Sequence, residues 1–263
     1  EEIKRALMEM LESDAIQHTS LLYLSQHVVA VAEKLLAHAP EGIDRAAFTN
    51  SGSEANELAF MAARHATGET MIVNLRHGYH GGTSGAPAQR GHSTWRFRYP
   101  PKEYFEEVVK IVHNYGGKYI SDEVQTGAGR CGGEFLLTKE LGIDADIVTM
   151  AKGFGNGAAV GAAIMKSDIA KTMAGKSYFN TFGGDPFQMV QAKVNMELIE
   201  KENLVGNARI MGERLKNGLK DLMKTHPLIG DVRGRGLLLG FELVKDRNTK
   251  AYATEEAGQL LEA

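Results

Sequence analysis

The 263-residue chain carries 30 basic and 33 acidic side chains, for a formal net charge of −3, and is 43% hydrophobic. This balance gives no electrostatic footprint for nucleic acid, which would need a clustered basic face, and no apolar run approaches the ~20 residues that span a bilayer. The single cysteine, Cys131, excludes an internal disulfide framework and fits a reducing compartment. The polar start Glu1-Glu2-Ile3-Lys4-Arg5 does not read as a signal peptide, so a cytoplasmic or mitochondrial-matrix protein is expected. Glycine is frequent (30) and proline rare (6), which suits tight βα turns and close backbone contacts.

The first stretch, through about Ala37, reads as helical: Ile3, Leu7, Met10 and Leu11 recur at helical spacing, and so do Val28, Val31, Ala32 and Leu35. Pro40-Glu41-Gly42 ends it. Arg45 to Thr49 reads as a strand, and Asn50-Ser51-Gly52-Ser53 turns into a helix with Leu58, Met61, Ala62 and His65 on one face. Gly68 stops that helix, and Met71 to Leu75 reads as a second strand, giving a βαβ unit with a parallel pair. Gly78 to Arg98 is loop-rich, with five glycines and one proline. Lys102 to Tyr115 is an amphipathic helix with Phe105, Val108, Val109 and Val112 inward, stopped by Gly116-Gly117. Tyr119 to Val124 is a strand ending on two carboxylates, and Ile147 to Ala151 is a strand followed by Lys152 and a glycine-rich turn. A long helix runs from about Phe187 to Glu202, then a helix near Ala208 to Lys224 and a strand from Leu237 to Val244. This alternation implies an α/β sheet, mostly parallel, with helices on both faces.

Three constellations carry chemistry. Asn50-Ser51-Gly52-Ser53-Glu54-Ala55-Asn56 lies at a strand-to-helix turn, where unpaired N–H groups and the helix dipole suit an anion; an ordinary serine N-cap explains the local sequence equally well. Asp122-Glu123 ends a strand on the edge where α/β ligands bind, but an acid there also serves as half of an ion pair or as a cap on the next element. Lys152 ends an apolar strand, where partial desolvation would free its amine for Schiff-base chemistry, although most lysines simply reach for water. Jointly, a phosphate cradle, an Asp and a Lys on different strand ends are the parts that hold pyridoxal phosphate.

With these segments in view, the sequence resembles the class III pyridoxal-phosphate aminotransferases of the ornithine, acetylornithine and 4-aminobutyrate type. Asn50 to Glu57 matches their phosphate turn, and Gly78-Tyr79-His80-Gly81 matches the segment with the aromatic that stacks on the cofactor. Ser121-Asp122-Glu123-Val124-Gln125-Thr126-Gly127 and Met150-Ala151-Lys152-Gly153 match the pyridine-binding and Schiff-base segments, and Asn180-Thr181-Phe182-Gly183-Gly184 matches a segment that serves the neighbouring subunit. Arg64-His65, Ser93-Thr94-Trp95, Ser177-Tyr178-Phe179-Asn180 and Asp231 to Gly236 look most like the alanine–glyoxylate branch. The resemblance runs from about Glu1 to Lys250.

The resemblance implies a fold-type I transferase with pyridoxal 5'-phosphate as cofactor, and amino acid and 2-oxo acid substrates exchanged by ping-pong kinetics. Gly52 and Ser53 would bind phosphate, Tyr79 and Val124 would flank the ring, Asp122 would pair with the ring nitrogen and Gln125 would touch the ring hydroxyl. Lys152 would be the imine partner and proton shuttle. Thr181 would reach the neighbouring subunit's cofactor, making the working unit a homodimer or a dimer of dimers, with no nucleic-acid or membrane partner. The implied organisation is an N-terminal helical segment at 1–40, a large cofactor domain at 41–186, and a linking helix with part of a small domain at 187–263. An aminomutase on the same fold, or a non-catalytic dimeric paralogue, are the rival readings.

The chain departs from the pattern in places. The family's Glu-Pro-x-Gln-Gly-x-Gly-Gly segment is absent, and Arg98 runs straight into Tyr99-Pro100-Pro101; a gap in the fold is expected at this junction. Ala128 stands where an aromatic is usual, and Asp185 where Asn is common. Gly175-Lys176-Ser177 lacks the first glycine of a P-loop, because position 170 is Ala. Gly234-Arg235-Gly236 lacks dinucleotide-site spacing, and His77 with His80 has no third metal ligand nearby, so no metal site is expected.

Overall fold

The computed structural model describes residues 1–13, 25–75, 78–83, 102–176 and 178–262. The Arg98–Tyr99 junction therefore lies outside the described residues.

The amphipathic N-terminal pattern resolves into α1 (Glu2–Glu12) and α2 (Gln26–Ala37), with Val31 and Leu35 of α2 buried in the core. The chain then enters β1 (Ile43–Thr49) and α3 (Gly52–Thr67). Gly68 ends α3 at φ 75°, the left-handed conformation that glycine adopts without a Cβ penalty. Next come α4 (Lys102–Asn114), β2 (Ile120–Asp122), the short α5 (Leu137–Glu140) and β3 (Ile147–Met150). One 3-10 turn, Lys152–Phe154, precedes β4 (Gly161–Lys166) and α6 (Ser167–Thr172). The helix α7 (Pro186–Lys201) starts at Asp185, whose side chain accepts from Phe187 and Gln188 N–H. Aspartate caps as well as asparagine does, which accounts for that departure from the family pattern. Then α8 (Leu204–Thr225) leads to β5 (Ile229–Arg235), β6 (Leu238–Asp246), β7 (Ala251–Tyr252) and α9 (Thr254–Glu262).

The main sheet has the order β1-β4-β3-β2. β2 and β3 pair in parallel with Asp122 opposite Thr149, whereas β4 pairs antiparallel with both β1 and β3. Three strands thus run one way and β4 alone runs against them, so the sheet is mixed in pairing and mostly parallel in direction. The carboxyl ends of β1, β2 and β3 share one edge, and there the side chains of the site collect.

The core follows the two-residue period of the strands. Val148 and Met150 of β3 and Ala162 and Ile164 of β4 face a cluster with Val31, Leu35, Met189 and Met196 of α2 and α7. The alternate residues Ile147, Ala163 and Met165 face a second cluster with Leu58, Ala59 and Ala62 of α3 and Ile169 of α6. Helices cover both faces, as the alternating sequence implied. A separate three-stranded sheet, β5-β6-β7, forms from hairpins in the C-terminal part.

Two expectations fail. Met71 to Leu75 is not a strand, and Met71 and Val73 are 82% and 87% exposed. The parallel βαβ pair is consequently absent: the neighbour of β1 is β4, which arrives more than a hundred residues later and runs antiparallel. The motif Gly234-Arg235-Gly236 leads into the β5–β6 turn, and a Cβ on Gly236 would lie 2.5–2.7 Å from the backbone of Arg130 and Cys131.

Candidate active site

At the carboxyl edge the turn leaving β1 comes first. Ser51 caps α3, its hydroxyl accepting the Glu54 N–H at 3.2 Å. The first-turn amides have no intrahelical acceptor and sit at the positive end of the helix, so the Gly52-Ser53 turn suits an anion. Packing requires glycine at position 52: a Cβ there would lie 2.8 Å from both γ-carbons of Val124 and 3.4 Å from Cβ of Ala151. The phosphate-type turn, the end of β2 and the residue before Lys152 therefore meet at one point.

At the end of β2 the two adjacent acids part, as strand alternation requires. Glu123 is 2% exposed and caps α5, accepting the N–H groups of Leu137 (2.9 Å) and Thr138 (2.6 Å) and the hydroxyl of Thr126 (3.0 Å). Burial pushes its carboxyl up, while these hydrogen bonds pull it back. Asp122 turns the other way. Its Oδ2 accepts from His80 Nδ1 and Asn56 Nδ2, each at 2.8 Å, and its Oδ1 accepts the Val124 N–H at 3.0 Å. A carboxylate offers about four acceptor directions. Three are filled from within the chain, which leaves room for one further donor.

Lys152 opens the 3-10 turn after β3 with φ 48°, in the left-handed region that a non-glycine residue rarely occupies. Its side chain is exposed, so the partial desolvation expected from its place after an apolar strand is not present. The turn itself is held from α7. Asn195 Nδ2 donates to the carbonyls of Gly153 (2.8 Å) and Phe154 (3.0 Å), and Gln191 Nε2 to those of Gly155 (3.1 Å) and Asn156 (2.9 Å). Fixing the backbone through and just after the turn orients the lysine without touching its amine.

Two loops complete the edge. Gly81, at φ 123°, lies against α3 so closely that a Cβ would meet Ser53 at 2.6–2.8 Å, and Gly82 N–H donates to Ser53 Oγ at 3.1 Å. This brings the 78–83 segment over the anion turn, with Tyr79 half exposed. In the other loop Asn180 Nδ2 donates to Glu54 Oε2 (2.7 Å), and Asn50 Nδ2 donates to Asn180 Oδ1 (2.8 Å). Burial opposes the ionisation of Glu54, but the bonds from Asn50 and Asn180 hold its carboxyl below the ordinary range. Thr181 follows Asn180 and is exposed, as are Phe179 and Phe182. Gln125 is also exposed.

The structure therefore gathers Gly52, Ser53, Asp122 and Val124, sets Lys152 beside them through Ala151, and ties the Thr181 loop to the anion turn. Sequence reasoning assigned no role to Asn56, Thr149, Gln191 or Asn195. Asn56, Gln191 and Asn195 are amides on helices, where a buried amide must find partners, and that was the available signal. His80 entered as half of a metal pair with His77. His77 lies outside the described residues, His80 is bonded to Asp122, and no cluster of three metal-ligating side chains occurs among the described residues.

This fold is that of the fold-type I pyridoxal-phosphate transferases. The family model described as Aminotransferase class-III matches residues 2–96 and 96–262, and the chain belongs to that family. It is 34% identical over 304 positions to alanine--glyoxylate aminotransferase 2 homolog 2, mitochondrial, of Arabidopsis thaliana, covering 94% of this chain and 64% of that protein. It is 32% identical over 305 positions to ethanolamine-phosphate phospho-lyase homolog 1 of Caenorhabditis elegans, covering 87% of this chain and 65% of that one. The chain thus spans just under two thirds of the length of these relatives. Among solved structures, a Bacillus anthracis aminotransferase superposes with a TM-score of 0.84 at 27% identity, covering 98% of this chain and 73% of that one. No helix among the described residues is long and apolar enough to cross a membrane.

Proposed function

We propose that this chain is a pyridoxal-phosphate transaminase that moves an amino group between an amino acid or amine and a 2-oxo acid, of the alanine–glyoxylate kind. The observation that carries this reading is the meeting of the Gly52 turn, Val124 and Ala151, with Asp122 and Lys152 on adjacent strand ends. The residues fit the cofactor: the first-turn amides of α3 at Gly52 and Ser53 have no intrahelical acceptor and suit a phosphate, and Asp122 retains one acceptor direction for a protonated ring nitrogen. Gly52 and Ser53 would hold the phosphate, Tyr79 and Val124 would flank the ring and Gln125 would meet the ring hydroxyl. When bound, pyridoxal phosphate supplies a carbonyl that condenses with amines and a ring that takes up the electron pair left at the substrate Cα. Lys152 would hold the cofactor covalently, and its amine would move the proton at the substrate Cα. Asp122 keeps the ring nitrogen protonated through its fixed charge. Thr181, exposed between Phe179 and Phe182, serves a second subunit, so the working unit is a homodimer or larger.

The C. elegans relative favours a second reading, elimination of phosphate from a phosphorylated amine at the same site. The two are separated by incubating the cofactor-loaded chain with L-alanine plus glyoxylate, or with O-phosphoethanolamine. Glycine formation supports transamination, and release of inorganic phosphate supports the lyase. Borohydride reduction followed by peptide mapping should place the cofactor on Lys152 and leave Lys152→Ala unlabelled. A label on any other lysine refutes the assignment.

A further inference from the structure

Asn56 sits one turn along α3 from the Gly52-Ser53 turn, on the helix face packed against the end of the sheet. It is 2% exposed, and each polar atom of its amide is engaged. Nδ2 donates to Asp122 Oδ2 at 2.8 Å and to the His80 carbonyl at 2.9 Å, while Oδ1 accepts the Thr149 hydroxyl at 2.6 Å. Thr149 is fully buried on β3 and is the parallel register partner of Asp122. Its carbonyl accepts the N–H of Glu123 at 2.9 Å.

A buried amide has two donor hydrogens and an acceptor, and all three are used here in a chain with a fixed sense. Thr149 donates to Asn56, and Asn56 donates to Asp122. The Asp122 carboxylate and the His80 carbonyl can only accept, so the amide is locked with its nitrogen toward them, and its oxygen then takes the Thr149 hydroxyl proton. The Asp122 carboxylate is thereby held from α3 by Asn56, from the 78–83 loop by His80 and from its own strand end by the Val124 N–H.

We infer that Asn56, anchored by Thr149, is a positioning residue that fixes the direction of the Asp122 carboxylate and couples the anion turn of α3 to it. This rests on the reading of the site given above. One helical turn then joins the group that grips the phosphate end of the cofactor to the group that faces its ring nitrogen, and a shift of either end is felt at the other. Buried polar pairs of this kind hold an acid within a fraction of an ångström, and a misplacement of about 1 Å at a reacting centre costs up to roughly 100-fold in rate.

The test uses the chain reconstituted with pyridoxal phosphate and the variants Asn56→Ala, Thr149→Val and Thr149→Ser. Four quantities are read: the Kd for pyridoxal phosphate, the pH midpoint of the bound cofactor's absorbance, and kcat and KM for the amino donor. Asn56→Ala and Thr149→Val should lower kcat roughly 10- to 100-fold with KM nearly unchanged, shift the absorbance midpoint and weaken cofactor binding. Thr149→Ser keeps the hydroxyl and should recover most of each property. Should Asn56→Ala fail to fold, Thr149→Val carries the test, since it removes one oxygen at nearly constant volume. If the variants melt lower but keep the wild-type absorbance midpoint and kcat, Asn56 is structural only and the inference is overturned. If the wild-type chain takes up no pyridoxal phosphate, the reading of the site fails first and this inference falls with it.

Discussion

Replacing Glu123 with alanine removes a buried carboxylate that accepts from two backbone N–H groups and one hydroxyl. Each buried donor left unsatisfied costs about 1–3 kcal/mol. The Leu137 and Thr138 amides together with the cavity bring the loss to roughly 3–6 kcal/mol, a large share of the ~5–15 kcal/mol that stabilises a typical native protein. Glu123→Gln keeps a carbonyl oxygen for one amide and should lose about 1–2 kcal/mol. At ~2–4 °C per kcal/mol for a chain of this size, its melting temperature falls by roughly 2–8 °C. Its transamination rate per folded molecule should remain near that of the parent, because Glu123 faces α5 and not the site. Asp122→Asn should differ in its effect on rate. It loses the charge that faces the ring nitrogen, so the rate should fall at least ~100-fold, about 2.7 kcal/mol of barrier. Its melting temperature should fall about as far as that of Glu123→Gln, because the new amide nitrogen meets a donor that the lost oxygen accepted. Thermal denaturation and steady-state kinetics on the same preparations give both numbers. If Asp122→Asn transaminates at near-normal rate, or Glu123→Gln abolishes turnover while melting like the parent, the two acids have been assigned the wrong way round.

Gly52→Ala places a methyl 2.8 Å from both γ-carbons of Val124; overpacking should cost about 1–3 kcal/mol and weaken pyridoxal phosphate binding, as fluorescence titration would reveal. Asp185→Ala removes the cap of α7 and should cost about 1 kcal/mol in denaturant unfolding; an unchanged midpoint would show that Pro186 alone starts the helix. Asp146 concerns pH. Burial opposes its ionisation, but the Tyr119 N–H (2.7 Å), His113 (2.7 Å) and Lys166 (3.3 Å) outweigh it and hold its carboxyl below the usual 3.8. A depressed acid stabilises the fold above its unfolded value and loses that contribution as pH falls through the lower folded value. Asp146→Asn should therefore flatten the acid limb of the stability–pH curve below about pH 4, and an unaltered acid limb would show that the cluster does not stabilise the fold.

What the sequence revealed tracks how locally each feature is determined. The anion turn was legible because Ser51 at the cap, Gly52 behind it and Glu54 three residues after Ser51 form a self-contained signal. The register that sets Asp122 beside Thr149 was not, since nothing local in either strand says which faces which. The division of labour between Asp122 and Glu123 was visible as an acidic pair with two open readings. Only the approach of α5, folded fourteen residues later, decides which acid is capped. Asn56, Gln191 and Asn195 share this character: each is an amide whose partners come from remote segments. β4 escaped notice because Gly161-Ala162-Ala163 has low strand propensity, and it forms where it does because strands on both sides bury those small residues.

The segment Met71 to Leu75 marks the opposite error. Its apolar run Met71-Ile72-Val73-Asn74-Leu75 is a good strand pattern, yet Met71, Val73 and Leu75 stand in solvent, and β2 pairs only with β3 among the described residues. A strand pattern is a statement about a face that could be buried, and it becomes a strand only when a neighbour supplies the hydrogen bonds and the cover. The alignment to the Arabidopsis relative runs over 304 positions although this chain has 263 residues, so the relative carries residues with no counterpart here. The family match breaks into two pieces that meet at residue 96, between this segment and α4. An unused strand pattern, a sheet edge ending at β2 and an interruption of the family match thus converge on one stretch of chain. The strand ends of the site lie elsewhere, at β1, β2 and β3, whose pairings do not pass through that stretch; from within it comes the 78–83 segment, with Tyr79 and the His80 bond to Asp122. The Gly52 turn therefore keeps its place against Val124 and Ala151, and Asp122 its register with Thr149.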